Sequence, residues 1–303
     1  MWRDSAVKQA LPPLPLADWQ DTAATLHMWT QMVGKVRMAL VPALNHWWHV
    51  TLYVTPRGLH TAPMPHGPHQ VDMSFDFLYH TFAITCSDGR SETIELRPRS
   101  VADFYAAFVQ ALAAMELEVS IWPVPVEVPD PIPFAEDTTH AAYDSAAVER
   151  WFAVLRWVNA VFTKFRGGFL GKSSPSHFFW GGFDLAITRY SGRRAPEREW
   201  PFLAAMQREA YSHEVISGGF WPGTPAIGGA AYFAYAAPEP DGFRDAAVKP
   251  GAAHYDTNMG LFLLKHDDLR QADDPEQALL DFLQTVYDAG ATLGGWDRAA
   301  LER

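Results

Sequence analysis

The stretch VDMSFDFLYHTFAITCSDGRSETIEL, residues 71–96, decides the fold class. Val71, Met73, Phe75 and Phe77 fall on one face of an extended chain, and Asp72, Ser74 and Asp76 fall on the other. That period of two marks a strand with one buried side. The apolar pattern runs on to Cys86, which is long for one strand, so a bulge or bend is expected near Leu78–His80. Ser87-Asp88-Gly89-Arg90 has the composition of a hairpin turn, and Glu92–Leu96 is the return strand. A hairpin beside half-buried strands points to an α+β chain, mainly antiparallel sheet with helices packed on it, rather than to alternating parallel units.

Working outward, residues 1–16 form a Pro-rich arm, and Asp18 is the expected N-cap of a helix through about Met38, stopped by Pro42. A strand is expected over His49–Thr55, then a Gly/Pro/His-rich loop over residues 57–70. Ser100 with Asp103 resembles a capping box and opens a helix to about Met115, and Leu117–Trp122 is a further strand. Pro123, Pro125, Pro129, Pro131 and Pro133 mark a stiff connector. Beyond it the spacing predicts a helix over Ala146–Phe165 and strands at Gly182–Thr188, Ala230–Ala236 and Gly260–Lys265. A last helix opens at Asp274-Pro275 and runs to about Asp288. Residues 49–63 align with 182–196, with Leu52 over Leu185 and Ala62-Pro63 over Ala195-Pro196. An internal duplication would give two pseudo-symmetric halves, 17–128 and 142–303, around a connector at 129–141, with a ligand site at their junction. The plainer reading is that any α+β chain shows this element order twice.

The 303 residues carry 24 Lys+Arg against 35 Asp+Glu, a formal charge of −11. No basic run exceeds Arg193-Arg194, which argues against a nucleic-acid partner. No apolar run is long enough to span a membrane, and the N-terminus lacks the apolar core of a signal peptide, so a cytoplasmic protein is expected. The single cysteine, Cys86, excludes an internal disulfide and a zinc site built on cysteines, and it reads as a small buried hydrophobe. Gly-x-Ser-x-Gly and Gly-x-Gly-x-x-Gly motifs are absent. Two biases stand out: 12 Trp, and 12 His of which His46, His49, His60, His66, His69 and His80 fall close together.

Several constellations are candidates for chemistry. If the polar faces of the strands at 49–55 and 71–77 coincide, His49, Asp76 and His80 converge, a donor set suited to Zn²⁺ or non-haem iron; a solvated sheet face explains the same pattern. His213 and Glu214 precede the Gly-rich aromatic stretch Val215–Gly223, read as a loop, and are expected as base or metal ligand and its orienting partner. A surface helix end explains them equally. Arg57, Arg189, Arg193 and Arg194 follow the two aligned strands, where they bind a carboxylate or phosphate or form structural ion pairs. The helical residues Trp29, Trp151 and Trp157 are expected in the core.

The strings NHWWHVTLYVTPRGLHTAPMP (45–65), SHFFWGGFDLAITRYSGRRAP (176–196) and SHEVISGGFWPG (212–223) resemble a bacterial domain family of unknown function, over residues 16–296. The resemblance implies no activity and transfers no catalytic residue.

Two main functional expectations follow. The first is a metal-dependent enzyme acting on a small anionic molecule in a cleft between the halves. His49, His213 and Glu214 would hold one Zn or Fe ion, His213 and Glu214 would act in catalysis, and Arg57 and Arg193 would orient the substrate. The second is a non-catalytic small-ligand-binding protein with an aromatic pocket. A haem or tetrapyrrole binder ranks behind both. The sequence leaves the substrate, the metal and the oligomeric state open.

Overall fold

The structure, a computed structural model, describes residues 11–199, 204–224 and 227–303. The first ten residues of the Pro-rich arm lie outside them. The chain is α+β, with two antiparallel sheets.

The alternation at 71–77 forms strand β4 (His69–Asp76), with Val71, Met73 and Phe75 buried. The expected long strand does not continue past it. The chain reverses at Phe77–His80 and returns as β5 (Thr81–Cys86), pairing Val71 with Cys86 and Asp76 with Thr81. The cause is the Asp76 side chain: its Oδ1 accepts from the Leu78 and Tyr79 amides, an Asx turn that substitutes for backbone pairing. The turn at Asp88-Gly89 forms as expected, with Gly89 at φ 95, and leads into β6 (Ser91–Glu95). Completing this sheet are β1 (Tyr53–Val54), β2 (Gly58–His60) and β3 (Met64–His66), in the order β1-β2-β4-β5-β6 with β3 also on β4.

The second sheet runs β11-β12-β10-β9-β8-β7. Its strands are β7 (His177–Phe179), β8 (Asp184–Arg194), β9 (His213–Thr224), β10 (Gly229–Ala237), β11 (His254–Asp256) and β12 (Leu261–Lys265). The Gly-rich stretch read as a loop is thus the sheet's longest strand. Its glycines serve packing: Gly218 admits Leu283, and Gly219 admits the Phe233 ring. The two sheets meet at one backbone bridge, where Leu52 and Phe178 exchange hydrogen bonds of 2.9 Å each way.

The helices are α1 (Gln20–Leu40), α2 (Val101–Ala114), α3 (Ser145–Gly167), α4 (Ala204–Ala210), α5 (His266–Arg270), α6 (Pro275–Leu293) and α7 (Arg298–Leu301). None among the described residues is long and apolar enough to cross a membrane. Ser100 caps α2 and Asp274 caps α6 through their side chains, as the sequence predicts. At α1 the cap is Trp19, because Asp18 is taken up in a preceding 3-10 turn. The main core is continuous from Leu14 to Trp296 and includes Phe134 of the connector. Trp29 stacks on Phe104 with centroids 4.5 Å apart, and Trp151 on Phe183 at 5.2 Å.

Three further expectations change. Residues 45–50 form a 3-10 turn instead of the start of a strand, with His46 and Trp47 in the left-handed region. Residues 49–55 and 182–188, aligned in sequence, therefore differ in conformation. Leu117–Trp122 takes no strand pairing, and the chain there is fixed instead by Gln31, whose side chain bonds both the amide and the carbonyl of Val126.

Gly34 of α1 lies flat against the Trp180 indole, where an added Cβ would overlap the ring. The indole is itself held by a 2.7 Å bond from its Nε1 to the Val50 carbonyl. In an ordinary helix Gly→Ala stabilises by up to about 1 kcal/mol. Here Gly34→Ala should destabilise by about 1–3 kcal/mol through overpacking, read from the urea midpoint.

Candidate functional site

Sheet two has unlike faces. Ile216, Phe220, Tyr232 and Ala234 join the main core under α6. The opposite face carries only two small separate clusters, one around Phe233 and one around Tyr190. Over that second face lies a cavity of about 550 Å³.

Its floor follows from strand register. Thr188, Ser217 and Tyr235 stand opposite one another on β8, β9 and β10. Their hydroxyls form a polar row: Thr188 Oγ1 lies 2.9 Å from Ser217 Oγ, and the Tyr235 hydroxyl 2.8 Å from that of Tyr211. The next row is Ala186, Gly219 and Phe233, small enough to leave depth, with Phe233 stacked on Trp221 at 4.1 Å. The walls come from His46, Trp47 and Trp48, from Met206 and Gln207 of α4, from Trp180-Gly181-Gly182, from Glu127, and from Lys35 of α1.

Much of this wall is strained. His46, Trp47 and Glu127 have φ of 60°, 61° and 58°, and Phe183, between two lining residues, has 56°. Each such non-glycine conformation costs on the order of 1–3 kcal/mol and persists where the surroundings impose it, commonly at ligand sites.

The charged groups are unusual. The bare backbone of Gly181 admits the Glu127 carboxylate, which a Cβ there would displace. A Cβ on Gly182 would stand 2.8 Å from Asp184 Oδ1 and 3.7 Å from Glu127 Oε2, so both carboxyls converge on this glycine. Burial, then the neighbouring Glu127, pushes the Asp184 carboxyl well above its ordinary range, and burial also raises Glu127. Burial lowers the Lys35 ammonium to about 8, holds the His177 imidazole down at about 3, and lowers His46. Three buried polar atoms on this wall, Trp47 Nε1, His177 Nδ1 and Gln207 Oε1, have no hydrogen-bond partner among the described residues.

The residues singled out from sequence are placed differently. His213 stands at the start of β9, its ring edge-on to His46 at 5.4 Å. Glu214 follows it on the same strand and so faces the other side of the sheet. There it pairs with Arg193 at 2.7 Å, and Arg193 also donates to the Gly294 and Gly295 carbonyls at the end of α6, at 2.5 and 3.0 Å. His49 accepts from the Leu44 amide through Nδ1 at 3.2 Å and packs on Trp47. His49, His213 and Glu214 are therefore not gathered around one point. Arg57 grips Asp76 and lies 4.6 Å above the Tyr79 ring. His80 turns to Tyr143 and Glu149, so His49, Asp76 and His80 also stay apart. Arg189 is buried over Phe165 at 3.5 Å. None of Arg57, Arg189, Arg193 and Glu214 lines the cavity. Among the described residues, the three metal-ligating side chains with donor atoms within 4.8 Å of one another are His69, Cys86 and Asp88, at the β4–β5 hairpin end.

Sequence reasoning missed Lys35, Glu127 and His177. Lys35 was signalled by its place as a lone cation in the apolar run MVGKV; the other two carried no signal in their spacing.

The model of a family of unknown function, DUF5996, matches residues 11–303, and the chain belongs to that family. No curated protein and no solved structure matches it.

Because the folded state keeps the Asp184 proton that the unfolded chain releases above about pH 4, stability falls as pH rises through that window. Asp184→Asn should therefore stabilise the protein, by more at pH 8 than at pH 5. Thermal melts of the two proteins at both pH values check this; equal or lower stability of the variant at pH 8 contradicts it.

Proposed function

We propose that this protein binds a small, flat, largely apolar molecule in the cavity over sheet two and releases it chemically unchanged. One observation carries the reading: three buried polar atoms lacking protein partners all line one aromatic cavity. A buried polar group left unpaired costs about 1–3 kcal/mol, which a ligand with matching donors and acceptors offsets. The volume of about 550 Å³ suits a molecule of a few fused rings. Trp47, Trp48, Trp180 and Phe233 supply ring faces, and the hydroxyl row of Thr188, Ser217 and Tyr235 supplies direction.

The metal-dependent alternative required His49, His213 and Glu214 to meet, and an anionic substrate required Arg57 and Arg193 to be free for it. Their alternation on β9 and their ion pairs favour the binding reading instead.

Ala186→Trp fills the cavity from its floor and tests the proposal. Fused-ring fragments titrated by calorimetry should bind the native protein with one-to-one stoichiometry. The variant should bind them at least about tenfold more weakly with an unchanged circular dichroism spectrum. Mass spectrometry should recover each fragment intact. Unchanged affinity in the variant, or a converted fragment, overturns the reading.

A further inference from the structure

Which charge the ligand carries is written into one end of the cavity. Glu127 and Asp184 converge on Gly182, and the glycines at 181 and 182 are what give both carboxyls room. Among the described residues no Lys, Arg or His forms an ion pair with either, and no cation contributes to the environment of either carboxyl. Two carboxyls so close in a dry site cannot both ionise without a positive partner. Acidic residues alone would not make a site. Here the same cavity also holds His177, 1% exposed, with an unpartnered Nδ1.

The wall's single lysine does not resolve the imbalance. Lys35, 2% exposed, directs its ammonium over Phe134 and Trp180, at 6.0 and 5.8 Å from the ring centroids, and pairs with no carboxylate. With His46 and His177 neutral, one lysine against two carboxylates leaves the cavity one positive charge short. Aromatic walls offer ring faces to a diffuse organic cation, whereas a metal ion needs oxygen or nitrogen donors on most sides.

We infer that the ligand is an organic cation, a single ammonium or amidinium on a flat aromatic body, with its charged nitrogen held between Glu127 and Asp184 and its rings against Trp180. The inference rests on the binding reading above and narrows it.

Three indoles of similar shape separate the possibilities: tryptamine, which is cationic; tryptophol, which is neutral; and indole-3-acetate, which is anionic. Calorimetry on the full chain at pH 7 and low salt should rank tryptamine at least about tenfold tighter than tryptophol, with indole-3-acetate weakest. Glu127→Gln combined with Asp184→Asn should abolish that preference while tryptophol still binds. A measurement on the native protein alone stands beside the variant. At pH 6, titrations in two buffers of different ionisation enthalpy should show proton release with tryptamine and none with tryptophol, since the cation draws the carboxyls into their charged form. If tryptophol or indole-3-acetate binds as tightly as tryptamine, or if tryptamine releases no proton, the cationic ligand is wrong while the pocket reading survives. If none of the three binds, both fall.

Discussion

Two main-chain hydrogen bonds between Leu52 and Phe178 hold the arrangement on which the rest depends. They are the backbone link between the two sheets. They also divide what surrounds them. Phe178 turns into the core against Trp151 and Phe183, while its neighbours His177 and Phe179 line the cavity. Two residues along, the Trp180 indole bonds the Val50 carbonyl, so residues 50–52 grip 178–180 at both ends. Strand alternation then does the sorting: successive side chains go to opposite faces, and one short bridge serves core and cavity together.

The same logic explains why the cavity stays open. On the core face, Gly218 lets Leu283 of α6 seat against the sheet. On the other face, Gly219 and Ala186 leave depth that no helix fills. What closes the space is irregular chain: the turn at 45–50, the segment around Glu127, and α4. This cover contributes strained φ values, orphaned polar atoms and two buried carboxyls, each unfavourable to the empty fold. Concentration of such costs at one place marks a site kept for use at the expense of stability.

The readable part of the sequence was the part governed by local rules. The alternation of Val71–Phe77, the Asp88-Gly89 turn and the caps Ser100 and Asp274 depend on near neighbours, and the structure reproduces them. The reversal after Asp76 was hidden because the apolar pattern continues through it, although Asp76 was a turn signal in plain view. The strand at 213–224 was hidden because its glycines match distant partners, Leu283 and Phe233, that spacing does not reveal. The excess of tryptophan did signal aromatic surface. The histidine cluster misled: in the structure His46 reaches the cavity while His49 turns back to the Leu44 amide and His80 pairs with Glu149. Glu127 could not be placed from sequence because its position depends on Gln31, almost a hundred residues away, fixing Val126.

The most direct measurement of the central claim is a ¹⁵N spectrum of the indole N–H groups during titration with a binding fragment. The tryptophans divide cleanly: Trp47, Trp48 and Trp180 line the cavity, Trp19, Trp29 and Trp151 lie in the core, and Trp122 is exposed. The account predicts that the Trp47 signal, whose Nε1 has no partner in the empty site, moves most, with Trp48 and Trp180 following and the core signals unmoved. Saturable shifts confined to Trp122, or to the core set, would contradict it.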